Sequence, residues 1–281
     1  MRPGRFAATM KGPKGATMNT VLTASRAAVG ALPRIWIGAR PLERLWYVVA
    51  GVLFAGGLGH VAVLLLTGAS WEGPTSLRKA ATFGLSFGLT LATVVWASSF
   101  IRLGSWFRAA VLSIFTVVCV LETVLITLQA WRGVPSHFNF ETPFDTSVSM
   151  TLAGGGFVII AVGLILAGAA LRRTADLTPE LRLALRYGFG TLLAAFGTGA
   201  IMIATGVTLA RSGDPAAAYA TAGFLKPLHA VALHAILVLP GLAWLIGFTG
   251  WDAGRRLRVV RWSIMGYSVL LVGAVIISLV G

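Results

Sequence analysis

The chain has 281 residues, of which 57% are hydrophobic and only 11% charged, against roughly a quarter charged in a typical soluble domain. With a mean hydropathy of +0.84 it lacks the polar side chains to cover a water-facing surface, which excludes a soluble protein and makes it an integral membrane protein. Its 23 Lys and Arg against 9 Asp and Glu, net +14, fit nucleic acid, a membrane surface or membrane topology until the charges are placed along the chain.

Residues 1–44 form a weakly apolar segment punctuated by Arg, Gly and Pro. The favoured reading is a disordered basic tail; the alternative is a short amphipathic helix from Asn19 to Leu32 lying on the inner leaflet. Met10 and Met18 are alternative starts. No long apolar core precedes a small-residue cleavage site, so no cleaved signal peptide is expected. No aromatic interleaving or helix–turn–helix pattern accompanies the charge, so nucleic acid is not an expected partner.

Residues 45–281 form the transmembrane domain. Seven apolar runs follow, at about 45–67, 81–101, 107–131, 148–171, 185–210, 229–249 and 259–280, each near the ~20 residues a bilayer-spanning helix needs. They are continuous rather than short alternating segments, so the fold class is an all-α bundle and not a barrel. Eighteen Lys and Arg fall in the tail and the even-numbered loops, and five (Arg78, Lys79, Arg132, Arg211 and Lys226) on the other side. Such a split predicts a cytoplasmic N-terminus and an extracytoplasmic C-terminus. That is opposite to receptor and retinal-protein orientation, and the last span has no Lys for a Schiff base.

The first span carries His60, roughly 10 Å below its outer boundary. The loop after it holds Trp71, Glu72, Gly73 and Pro74, then Arg78 and Lys79. Gly84 and Gly88 in the second span are a small-xxx-small pair, a signal for close helix packing and for a homo-oligomer. The third span holds Cys119, the one cysteine of the sequence, read as a small buried apolar side chain. It also holds Glu122, the one acidic residue well inside a span, roughly 13 Å below the outer boundary. Gln129, seven residues on, shares the face of Glu122, so this helix is expected to face the bundle interior.

The next loop, with Arg132, His137, Asn139, Glu141 and Asp145 among Trp131, Phe138, Phe140 and Phe144, exceeds a minimal connector. It is read as an interfacial aromatic belt or as a lid over an extracytoplasmic cavity. Gly154, Gly155 and Gly156 are expected to loosen the outer end of the fourth span. The sixth span opens at His229, with His234 and Lys226 beside it. His229 and His234 are five residues apart, about 140° around a helix, and do not share a face. No internal repeat is visible, which leaves an inverted-repeat transporter without support.

The strings Trp71-Glu-Gly-Pro-Thr-Ser-Leu-Arg-Lys79, Phe83-Gly-Leu-Ser-Phe-Gly88, Gln129-Ala-Trp-Arg-Gly-Val-Pro-Ser-His-Phe-Asn139 and His229-Ala-Val-Ala-Leu-His234 with Leu239-Pro240 resemble a group of bacterial polytopic inner-membrane proteins of no established activity. The resemblance covers most of the span region and implies a multi-pass protein of the bacterial plasma membrane, with the bilayer as its partner. The excess of Arg over Lys, 19 to 4, agrees with a high-GC bacterial genome.

Ionisable groups within a bilayer are functional candidates, and His60, Glu122, His137, His229 and His234 all fall in the outer half. Three functions are expected as alternatives. The first is a cofactor protein: His60 and His234 would ligate a b-type haem, or His137, His229, Glu122 or Glu141 would bind a divalent metal. The second is a transport or binding protein whose Arg78, Lys79, Arg132 and Lys226 attract a small anion or lipid headgroup, supported by Gln129, Asn139, Glu141 and Asp145. The third is a structural or accessory protein whose polar residues satisfy one another. Whether it is an enzyme stays open, since no nucleophile–base spacing or Gly-rich phosphate loop is visible.

Overall fold

A computed structural model describes residues 17–172, 177–221 and 223–280. The helices, in chain order, are α1 Thr17–Gly38, α2 Pro41–Thr67, α3 Arg78–Ser98, α4 Ser105–Trp131, α5 Pro143–Arg172, α6 Pro179–Arg211, α7 Pro215–Thr221, α8 Lys226–Ile246 and α9 Ala253–Val280. No strand occurs among the described residues. All except α1 and α7 are long and apolar enough to cross a membrane, so the protein is a seven-span all-α bundle.

Hydropathy located the spans but not the helix ends. α5 starts at Pro143 and α6 at Pro179, five or six residues ahead of their apolar runs. Proline suits a first helical turn, because its missing N–H would be unpaired there anyway. Asp145 and Glu180 lie in those same first turns, where a carboxylate meets the positive end of the helix dipole.

Thr17–Gly38 is helical, where a disordered tail was the favoured expectation; the helix runs through the alternative Asn19–Leu32 segment and past Pro33. Its C-terminal carbonyls are capped from the next helix: Arg44 Nε donates to Trp36 O at 3.1 Å and Arg44 Nη2 to Ile37 O at 2.8 Å. Residues 1–16 of the expected tail lie outside the described residues.

Neighbouring spans pack in chain order, α2 on α3, α3 on α4, α4 on α5, α5 on α6, and α6 and α9 on α8, with α3 touching α8 across the bundle. The core runs between them, with Phe115, Phe189, Leu112, Leu185 and Leu192 fully buried. The closest approach is α2 to α3. A Cβ on Gly57 would lie 2.5 Å from Leu85 N, one on Gly84 2.8 Å from Gly57 Cα, and one on Gly88 2.6 Å from Phe54 N. The glycine pair of α3 therefore serves packing within the chain. Apolar side chains such as Leu65, Leu66, Trp106, Val269 and Leu279 point outward, as a bilayer-facing surface requires.

The two ends of the bundle differ. At the end bearing the first residues of α2, α4, α6 and α9, Glu43 pairs with Arg108, whose guanidinium also donates to Ser98 Oγ and Val95 O. Arg256 Nε donates to Glu180 Oε1 at 2.8 Å. This is termed the basic end. The opposite end, where residues 68–77, 132–142 and 212–225 connect the spans, is termed the loop end.

Candidate functional site

The loop end holds a layer of buried polar groups built around one face of α4. Glu122, Ile126 and Gln129 are all buried on that face, as their spacing of four and three residues requires. Gln129 Nε2 donates to Asp145 Oδ1 at 2.8 Å, and Arg132 Nη1 donates to the same oxygen at 2.7 Å and to Gln129 Oε1. Thr142 Oγ1 donates to Asp145 Oδ2 at 2.7 Å and accepts from the Asp145 N–H at 3.1 Å. That second bond is a side-chain cap at the start of α5. The Arg132 guanidinium sits 4.7 Å from the Phe144 ring centroid, within cation–π range.

Residues 133–142 are anchored to the bundle by hydrogen bonds. Gly133, at φ +68°, ends α4 and lets the Val134 N–H reach back to Gln129 O at 3.1 Å, a Schellman-type stop. Ser136 and Asn139 are buried. The Asn139 N–H donates to Ser149 Oγ at 3.2 Å, and Ser149 Oγ donates to Asn139 O at 3.0 Å, tying the loop to α5. Phe138 adopts φ +59°, a left-handed backbone that costs about 1–2 kcal/mol for an L-residue. Its ring lies directly on Gly206 of α6, where a Cβ would overlap it. Burial of a phenyl ring offsets a strain of this size.

His137 lies between the rings of Phe83 and Phe138, each centroid 6.0 Å away, with Nδ1 2.9 Å from Ser136 Oγ. Burial first, and the positive charge of Lys79 second, hold its imidazole down to about 3, so it is neutral at physiological pH. Lys79 Nζ lies 5.9 Å from the Tyr219 ring centroid. Lys226 and Arg78 are the positive charges near Lys79. Burial and the charge of Glu141 push the Tyr219 hydroxyl up to about 12, so it stays protonated. Among the described residues neither Lys79 nor Lys226 forms an ion pair, whereas Arg78 reaches Glu72 at 3.3 Å and Arg132 reaches Asp145.

The four histidines occupy separate places. His60 Nδ1 donates to Gly56 O at 2.8 Å, so its Nε2 accepts from Trp131 Nε1 at 3.0 Å; neither ring nitrogen is left for iron. His229 packs on α6, its Nδ1 2.7 Å from Ala195 O. His234 is exposed on the surface of α8, its Nδ1 2.6 Å from Ala230 O. The expected haem pair His60 and His234 therefore does not fit, because one imidazole is fully bonded and the other points away from the bundle. The metal candidates His137, His229, Glu122 and Glu141 do not gather into a group of three either. Among the described residues no three His, Cys, Asp or Glu side chains are placed to hold a metal ion. Arg132, expected to attract an anion, is already paired with Asp145.

Ser136, Thr142 and Ser149 bind the loop to the bundle, yet the sequence reading passed over them. Thr142-Pro143-Phe144-Asp145 carried the signal, since Thr followed by Pro and then by an acid in the third position is a helix start. Fold and site together define a polytopic α-helical membrane protein with a structured polar layer at one end. Comparison with protein-family models, curated proteins and solved structures finds no match to the chain.

Proposed function

We propose that this protein lies in the bacterial plasma membrane with its basic end in the cytoplasm, and that its extracytoplasmic loop end binds a small anion or an anionic lipid headgroup. The observation that carries this reading is the pair Lys79 and Lys226. They sit on the touching helices α3 and α8, and among the described residues neither forms an ion pair with a carboxylate. Like charges held together repel, and an anion relieves that repulsion. Tyr219, which stays protonated, supplies a hydroxyl donor near Lys79. The 133–142 loop, anchored through Asn139 and Ser149, forms a fixed wall. Lys and Arg concentrated at the basic end support the orientation.

The test is equilibrium binding to the detergent-purified full chain of inorganic phosphate and, separately, of mixed micelles containing phosphatidylglycerol or phosphatidylcholine. Saturable binding of phosphate or of the phosphatidylglycerol micelles is expected, weakened at least tenfold by Lys79→Gln with Lys226→Gln, or about 1.4 kcal/mol. Phosphate binding points to a free anion, and binding of the anionic micelle alone to a headgroup. No binding of either, or binding unchanged in the double variant, rejects the site.

A further inference from the structure

Glu122 takes no part in the polar layer described above. It is buried, at 4% exposure, midway along α4, and among the described residues its Oε1 has no hydrogen-bond partner. The fold nevertheless makes room for it. Gly155 of α5 faces the carboxyl, and a Cβ there would overlap Glu122 Oε1. Of the three consecutive glycines, the middle one accommodates this acid, while α5 continues unbroken from Pro143 to Arg172.

Among the described residues it forms no ion pair. Cys119, three residues away on α4, is the nearest titratable neighbour on its own helix. α5 carries Asp145 and Arg172 only at its two ends, and α3 carries Arg78 and Lys79 only at its loop end. α2 carries Glu43, Arg44 and Tyr47 toward the basic end and His60 toward the loop end, where His60 is bonded to Trp131. An ionised carboxylate buried without a partner is far more costly than the neutral acid.

A thin apolar layer separates this carboxyl from the polar layer. Ile126, Val148 and Leu152 form a small buried cluster with Phe83 and Leu125 against it, and beyond them lie Gln129 and Asp145. Glu122 and Gln129 are seven residues apart, about 10 Å along the helix. Toward the basic end the carboxyl faces the main core instead, through Val118, Phe115, Leu112 and Val111, over about 25 Å to the start of α4.

We propose that Glu122 is a proton-binding site in the membrane core, exchanging its proton with the loop end across the Ile126–Val148–Leu152 layer. This does not depend on anion binding at Lys79 and Lys226. A carboxyl that served packing alone would remain sealed from water.

The experiment is infrared difference spectroscopy of the full chain in lipid bilayers as the medium is changed from H2O to D2O. The expected result is a protonated-carboxyl C=O band at neutral pH that moves to lower frequency in D2O, is lost at alkaline pH, and is missing in Glu122→Gln. A band that stays unshifted in D2O, or that persists in Glu122→Gln, overturns the proposal. Should that variant fail to fold, the wild-type protein is treated with dicyclohexylcarbodiimide. The protonated carboxyl adds across one N=C bond to give an O-acylisourea, which rearranges to a stable N-acylurea with no group lost. Modification mapped to Glu122 that slows several-fold as pH rises supports the proposal, and its absence from Glu122 at every pH overturns it.

Discussion

At the scale of single residues the loop end is held by side chains that answer one another. Asp145 accepts from Gln129, Arg132 and Thr142, and a buried carboxylate that loses a donor is left with an uncompensated charge. Arg132→Ala should therefore lower the thermal unfolding midpoint by several degrees, and by more than Arg132→Lys, which keeps the charge. His137 adds a pH dependence of definite sign. Its ordinary value lies near 6.5 and its folded value near 3, so between those limits the unfolded chain binds a proton that the folded chain refuses. Stability should fall as pH drops from about 6.5 toward 3. Thermal unfolding across this range should show a shallower slope for His137→Gln; an unaltered slope would remove His137 as its source.

Which residues were legible follows from what spacing encodes. The shared face of Glu122 and Gln129 could be read, because seven residues make nearly two turns of helix. The roles of Arg132 and His60 could not. Arg132 meets Asp145 only once the loop folds inward, and His60 meets Trp131 across two helices 71 positions apart in sequence. Counting histidines in one half of the membrane said nothing about where their rings point.

At the scale of helices, the α2–α3 contact rests on bare backbone at Gly57, Gly84 and Gly88. Gly84→Val would force these helices apart, and overpacking of this kind costs about 1–3 kcal/mol. Denaturation of the detergent-solubilised protein should show that loss, whereas Gly266→Ala on α9, above which the space is open, should be nearly neutral. α1 depends on a cap that no local pattern announces, since Arg44 reaches it from α2. Arg44→Ala removes two hydrogen bonds, each about 0.5–1.5 kcal/mol. Hydrogen exchange at residues 34–38 should become several-fold faster while α2 stays protected. The same cap explains why the sequence pointed toward a disordered tail, for Pro33 and the sparse apolar pattern carry no trace of Arg44.

At the scale of the whole molecule, apolar length gave all seven spans, since hydrocarbon leaves a chain little choice but helix. The helix starts at Pro143 and Pro179 lay outside those runs because hydropathy reports burial in lipid, not where backbone bonding begins. The net charge of +14 takes its meaning from position: the basic end carries most of it, and among the described residues Lys79 and Lys226 at the loop end form no ion pair. The proposed site needs the loop end outside the cell, and labelling in intact cells with a membrane-impermeant maleimide tests this most directly, because the native Cys119 is buried. Ser70→Cys and Asp214→Cys at the loop end should label in intact cells, and Ala253→Cys at the basic end only after permeabilisation. The reverse pattern would contradict the orientation and, with it, an extracytoplasmic anion site.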